Sequence, residues 1–230
     1  MTPPAQLPLE FGHRPALGGD DFLVAAPNAD AVAWLDRWPD WPAPALVIHG
    51  APGCGKSHLC QVFLSASGGR AVSIDALGAA TPPEIVGTAP ALVIDDVDAV
   101  LAHGLERELF HLYNFVAESR RHLLMTAAAA PSRWDVKLPD LRSRLNAAMA
   151  CEIGPPDDPL MAAVLVKLFA DRQLKIDDGV LAFLLARMER SFDAARRAVA
   201  ALDAAALAER RNITVPLARE VLGRMEGAAS

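Results

Sequence analysis

The chain has 230 residues, 52% of them hydrophobic and 22% charged, with a net charge of −6. That length carries one good core and a smaller second one, and the acidic balance argues against bulk affinity for nucleic acid phosphates. Three cysteines, Cys54, Cys60 and Cys151, lack disulfide-framework or metal-type spacing. Together with the lack of a membrane-length apolar run or a signal-type start, they imply a cytoplasmic protein with no membrane partner.

Residues 1–19 are rich in Pro and Gly and read as a flexible arm. Inside it stands QLPLEF, whose Leu7, Leu9 and Phe11 lie ahead of any recognisable domain. A core over 20–155 follows. It starts with a helix at about 28–38 and alternates strand-like ALVIH (45–49), RAVSID (70–75), ALVID (91–95), HLLMT (122–126) and MACEI (149–153) with helical stretches. Among the helical stretches, KSHLCQVFLSA follows a Gly-rich turn. GLERELFHLYNFVAESR carries Leu105, Leu109, Leu112 and Val116 at helical spacing, and LPDLRSRL is a short helix. Continuous apolar strands between helices predict an α/β fold with a parallel sheet covered on both faces. After GPPDDP (154–159) four helices are predicted, at 160–171, 178–189, 191–210 and 216–225, with Asp177 and Asp178 as caps and Pro216 in a first turn. Residues 156–230 thus form a small helical domain, with at most a few strand residues at NITV.

GAPGCGKS, Gly50 to Ser57, fits G-x-x-x-x-G-K-[ST] between a strand and a helix. Glycines let backbone amides turn inward on phosphate oxygens, the helix start adds positive potential, Lys56 neutralises β/γ charge and Ser57 can ligate Mg²⁺. The candidate nucleotide-binding set is Gly50, Pro52, Gly53, Cys54, Gly55, Lys56, Ser57 and His58. ALVIDDVD ends an apolar strand in Asp95, a candidate Mg²⁺ carboxylate, and Asp96, placed to orient an attacking water. Thr126, at the end of HLLMT, either reaches toward a γ-phosphate or bonds to backbone. Arg142 and Arg144 of LPDLRSRL are either a solvated face or the source of an arginine finger offered in trans to another subunit's nucleotide.

Those residues, with FLVAAPNADAV before the first strand and ITVPLAREVL near the end, resemble the AAA+ ATPases of the DnaA/Hda branch from about Asp20 to Leu222. The GKSHL form and the Asp-Asp pair look like that branch rather than clamp loaders or proteases. The resemblance implies a five-stranded sheet in the order 5-1-4-3-2 and a helical AAA+ lid. It puts Arg144 at the finger position and Phe22, Leu23 and Val24 in an adenine pocket. QLPLEF is similar to the Q-L-x-L-x-F motif by which bacterial proteins dock on the replicative sliding clamp. The clamp-binding set is Gln6, Leu7, Leu9 and Phe11, in which Leu9 and Phe11 would fill an apolar pocket and Gln6 bond at its rim; the alternative is an edge strand or a segment folded on its own domain.

The sequence ends at Ser230, just past the lid, so no dedicated DNA-binding domain is expected. The resemblance therefore implies a regulator of replication initiation that binds the clamp and stimulates hydrolysis of DnaA-bound ATP, with Arg144, Asp96 and Thr126 as catalytic candidates. Homo-oligomers are possible. Where the family carries a lid arginine toward the phosphates, alignment of ARMERSFDAARRAV gives Asp193. That departure implies weak intrinsic ATPase activity and favours bound ADP over ATP. The alternative readings are a stand-alone AAA+ ATPase or loader, and an adaptor that stimulates nothing.

Overall fold

The computed structural model describes residues 23–228, so QLPLEF and Phe22 lie outside the described residues. The chain falls into two compact units that part between Gly154 and Pro155.

In the first unit five parallel strands stand in the order β2-β3-β4-β1-β5: β1 (Ala45–His49), β2 (Arg70–Ala71), β3 (Ala91–Ile94), β4 (His122–Ala127) and β5 (Met149–Glu152). This is the expected order, read from the other edge. Strand periodicity explains the unbroken apolar runs. Ala45 and Val47 of β1 enter one core, while Leu46 and Ile48 enter the core on the opposite face. Helices α1 (Ala29–Asp36) and α2 (Lys56–Ser67) cover the second face. The first face is covered by α3 (Ile74–Ala79), α4 (Pro82–Val86), α5 (Val97–Ala102), α6 (Glu106–Glu118) and α7 (Pro139–Ala147).

Three differences from the sequence reading have local causes. RAVSID is a strand only at Arg70–Ala71, because the Ser73 hydroxyl accepts from Ala76 N–H at 3.1 Å and starts α3 at Ile74. α4 escaped notice behind two prolines, yet Thr81 and Glu84 cap it: the Glu84 carboxylate accepts from the Thr81 N–H at 2.8 Å. α5 has only six residues, capped by Asp96.

The second unit packs α8 (Asp158–Asp171), α9 (Asp178–Arg187), α10 (Phe192–Glu209) and α11 (Val215–Ala228) around Leu165, Phe169, Leu184, Val199 and Leu217. The Asp177 carboxylate caps α9 through Val180 N–H at 2.8 Å, as expected. NITV is not a strand; Ile213 is a core residue just ahead of α11. Among the described residues no helix is long and apolar enough to cross a membrane.

Candidate nucleotide site and arginine face

β1 and β5 deliver the chain into the phosphate loop. Ile153 N–H donates to His49 O at 2.7 Å, and Gly50 N–H to Ala127 O at 3.2 Å. This close packing explains Gly50: a Cβ there would stand 2.4 Å from the Ile153 carbonyl oxygen. Gly53 (φ 73°) and Gly55 (φ 105°) then turn the chain through the left-handed region into α2. The first-turn amides of α2 have no partner one turn back, so they and the helix dipole favour an anion. Lys56 Nζ donates to Gly50 O at 2.7 Å and Ala51 O at 2.9 Å, and lies 3.8 Å from the Cys54 sulfur. An ammonium has three donors, and the third here meets only a thiol sulfur, a weak acceptor that a phosphate oxygen would displace. The loop therefore fits a nucleotide phosphate. Pro52, Ser57 and His58 are exposed along it, and Cys54 is buried beneath it.

The acidic strand end is braced by β4. Thr126, fully buried, donates its hydroxyl to Asp95 Oδ1 at 2.5 Å and accepts from Asp96 N–H at 2.9 Å. Of the two sequence readings for Thr126, the backbone bond is present, through Asp96 N–H, and the hydroxyl in addition orients the Asp95 carboxylate. Asp96 takes a left-handed backbone (φ 74°), and its Oδ1 caps α5 by accepting from Ala99 N–H at 3.2 Å. Both carboxylates remain exposed. Asp95 and Ser57 could hold Mg²⁺ only with phosphate and water oxygens completing the shell, since no cluster of three or more metal-binding His, Cys, Asp or Glu side chains exists among the described residues. Cys60 lies 4.0 Å from Asp95 Oδ1, and burial first, then that carboxylate, pushes its thiol far up. It is inert packing.

Replacing Thr126 with Val should remove both bonds while keeping the shape. The loss of two partners beside a half-buried amide costs about 2 kcal/mol. A melting temperature about 4–8 °C below the parent's is the expected result; an unchanged melt would mean the bridge bears no weight.

The two arginines of α7 have separate fates. Arg142 turns back on its own segment, donating from Nε at 2.8 Å and from Nη2 to the Val136 carbonyl. Arg144 is exposed, with its guanidinium 5.5 Å from the Phe110 ring centroid on α6. It lies close enough to Tyr113 to offset part of the upward shift that burial gives that phenol. Glu106 fixes the approach to α7 by accepting from Lys137 N–H (3.0 Å) and Leu138 N–H (2.8 Å). A cleft of about 770 Å³ opens on this side of the molecule, between α5, the start of α6 and the segment leading to α7. It does not include the phosphate loop.

At the proposed adenine end, Leu23 and Val24 are half-buried, and Val24 packs on the core. Asn28, absent from the sequence-derived site, organises them. Its Nδ2 donates to Leu23 O at 3.0 Å, and its Oδ1 accepts from Ala25 N–H at 2.9 Å. An Asn just before a helix looks like an ordinary cap, so its backward bonds gave no separate signal. In the helical unit Asp193 is exposed in the first turn of α10 and paired with Arg196 at 2.5 Å.

Comparison with known proteins follows the two units. Residues 158–222 match a family profile described as "Hda, lid domain", and residues 46–101 one described as "Viral superfamily 1 RNA helicase core domain". The second span runs from β1 through the phosphate loop to α5. An uncharacterized protein of Haemophilus influenzae is 28% identical over 198 residues, covering 80% of this chain and 83% of its own. The chromosomal replication initiator protein DnaA of Magnetococcus marinus is 26% identical over 233 residues, covering 92% of this chain and 52% of its own. The chain thus spans about half the length of that DnaA. Domain III of Thermotoga maritima DnaA superposes with a TM-score of 0.80 at 19% identity, over 92% of this chain and 97% of that one. AMPPCP-bound DnaA from Aquifex aeolicus gives 0.62 at 18% identity, over 78% and 62%.

Proposed function

This chain is an AAA+ protein of the DnaA/Hda branch, and we propose from that premise that it regulates chromosomal replication initiation by acting on DnaA. In this reading the N-terminal QLPLEF docks on the sliding clamp, the body packs against ATP-bound DnaA, and Arg144 completes the active site of DnaA. Hydrolysis then leaves inactive DnaA-ADP. The chain's own nucleotide, ADP in preference to ATP, sits with Mg²⁺ on the phosphate loop and serves structure more than turnover.

The observation that carries this reading is the exposure of Arg144. α7 is anchored by Glu106 and by Arg142, so one guanidinium is spent on the fold while its neighbour is presented outward on an aromatic ring. A planar cation held on a rigid helix suits the developing charge of a neighbour's γ-phosphate. The Asp95–Thr126–Asp96 chain favours a second reading, turnover of the chain's own ATP. Hydrolysis measured without DnaA separates the two: steady turnover supports the second and its absence the first.

The arm supplies the test of clamp docking. Burying Leu9 and Phe11 contributes ~1.5–3 kcal/mol each before the cost of ordering the segment. Replacing Gln6 and Phe11 together with Ala should therefore weaken clamp binding about 30-fold or more while leaving nucleotide affinity unchanged. Clamp binding equal to the parent's would remove the arm from the mechanism.

A further inference from the structure

The lid unit carries an arginine arrangement that the nucleotide site does not use. Six of its nine arginines have a carboxylate within 4.0 Å. Arg187, Arg210 and Arg219 have none among the described residues, and Arg187 and Arg219 are brought together. Both instead lie on a single ring, with their guanidinium carbons 4.9 Å and 5.7 Å from the centroid of Phe183. Phe183 and Arg187 stand one turn apart on α9, and Arg219 comes from α11. The neighbours Leu184, Leu217 and Ala218 are fully buried, so the helices under the cluster are fixed by packing.

The chemistry of this arrangement is specific. A guanidinium resting on an aromatic face has its rotamer restricted while its in-plane N–H donors still point to the edge. Two such forks on one ring make a preorganised pair of cations with no carboxylate within 4.0 Å among the described residues. The cluster is exposed at both arginines rather than recessed, which suits an extended polyanion better than a small anion.

The charge distribution says where such a polyanion meets least repulsion. Eleven acidic and eleven basic residues fall after Gly154, so the whole net charge of −6 belongs to residues 1–154. The lid is balanced overall, and two of its three arginines without a carboxylate partner among the described residues meet at Phe183. We propose that the Arg187–Phe183–Arg219 cluster is a contact for the phosphate backbone of duplex DNA. It acts without base readout, by displacing counterions at about two phosphates. This contact involves neither the arm nor Arg144 and stands independently of the regulatory reading above.

Fluorescence anisotropy of a labelled 30-base-pair duplex titrated with the full-length chain tests it directly. At 50 mM salt the parent should bind weakly, with log K falling against log salt at a slope of roughly −2, as expected for two neutralised phosphates. Replacing Arg187 and Arg219 together with Ala should cut affinity at least tenfold and flatten the slope. The double Lys variant, which keeps the charge but not the fork, should retain an intermediate affinity. Arg196→Ala, whose arginine is already paired with Asp193, should bind as the parent does. Circular dichroism melts of each variant establish that the lid is intact. The proposal is overturned if the parent does not bind duplex at 50 mM salt, or if the folded double Ala variant binds equally well. It is also overturned if poly-glutamate engages these arginines while duplex does not, which would assign the cluster to an acidic protein.

Discussion

An Arg144→Ala chain should fold and bind nucleotide like its parent, yet lose about 10³-fold of its stimulation of ATP hydrolysis by DnaA. The small effect on folding follows from the surroundings of the side chain. Arg144 is exposed, and its one ring contact among the described residues is to Phe110 at 5.5 Å, a cation–π interaction of ~0.5–1 kcal/mol at an exposed site. The large effect on hydrolysis follows from what a guanidinium does in phosphoryl transfer. It meets charge that builds on the γ-phosphate oxygens mainly in the transition state, so its removal lowers the rate more than the binding of the partner. Arg144→Lys should recover little, because a point charge on a flexible stem lacks the planar fork. The measurement is single-turnover hydrolysis of DnaA-bound ATP with clamp-loaded DNA. A fully active Arg144→Ala chain would refute the finger role. Arg142→Ala is the informative companion: it unseats the Val136 carbonyl, so its damage should appear first as lost stability of the α7 approach.

Much of the core could be read from residue order because its signals are local. The unbroken apolar runs of β1 and β3 arise from burial on both faces, and the Gly-rich turn between β1 and α2 has few other uses. What stayed hidden depends on contacts distant in sequence or on elements too short for periodicity. No local pattern distinguishes Arg142 from Arg144, two residues apart on one helix. Both are exposed, and only the position of the Val136 carbonyl decides which one is bonded back to its own segment. Glu106 reaches Lys137 and Leu138 across 31 and 32 positions, and Thr126 reaches Asp95 across 31. RAVSID has strand composition throughout, but a single serine hydroxyl converts its second half to helix.

Removing the Lys56 side chain should have the second large effect, a loss of about 10²–10³-fold in affinity for ADP and ATP alike. The loop bends the Gly50 and Ala51 carbonyls toward one point, and the ammonium holds both at hydrogen-bond distance. Without it, phosphate oxygens would approach two inward-turned carbonyl dipoles with only the amides of α2 to offset them. A lost charge-assisted contact of this kind typically costs ~3–4 kcal/mol in a preorganised site. The fold should change little, since Lys56 opens α2 from a half-exposed position and its own bonds are confined to the loop. Ligand-induced stabilisation provides the readout. ADP at 100 times its dissociation constant stabilises the parent by about 2.7 kcal/mol, and at the same concentration Lys56→Ala should show almost none of it. Because the contact lies at the β/γ position and not at the base, the loss should be nearly the same for a guanine nucleotide. If Lys56→Ala keeps the parent's ADP-dependent melting shift, the loop is not the phosphate cradle, and both Mg²⁺ at Ser57 and Asp95 and the nucleotide-held arrangement fall with it.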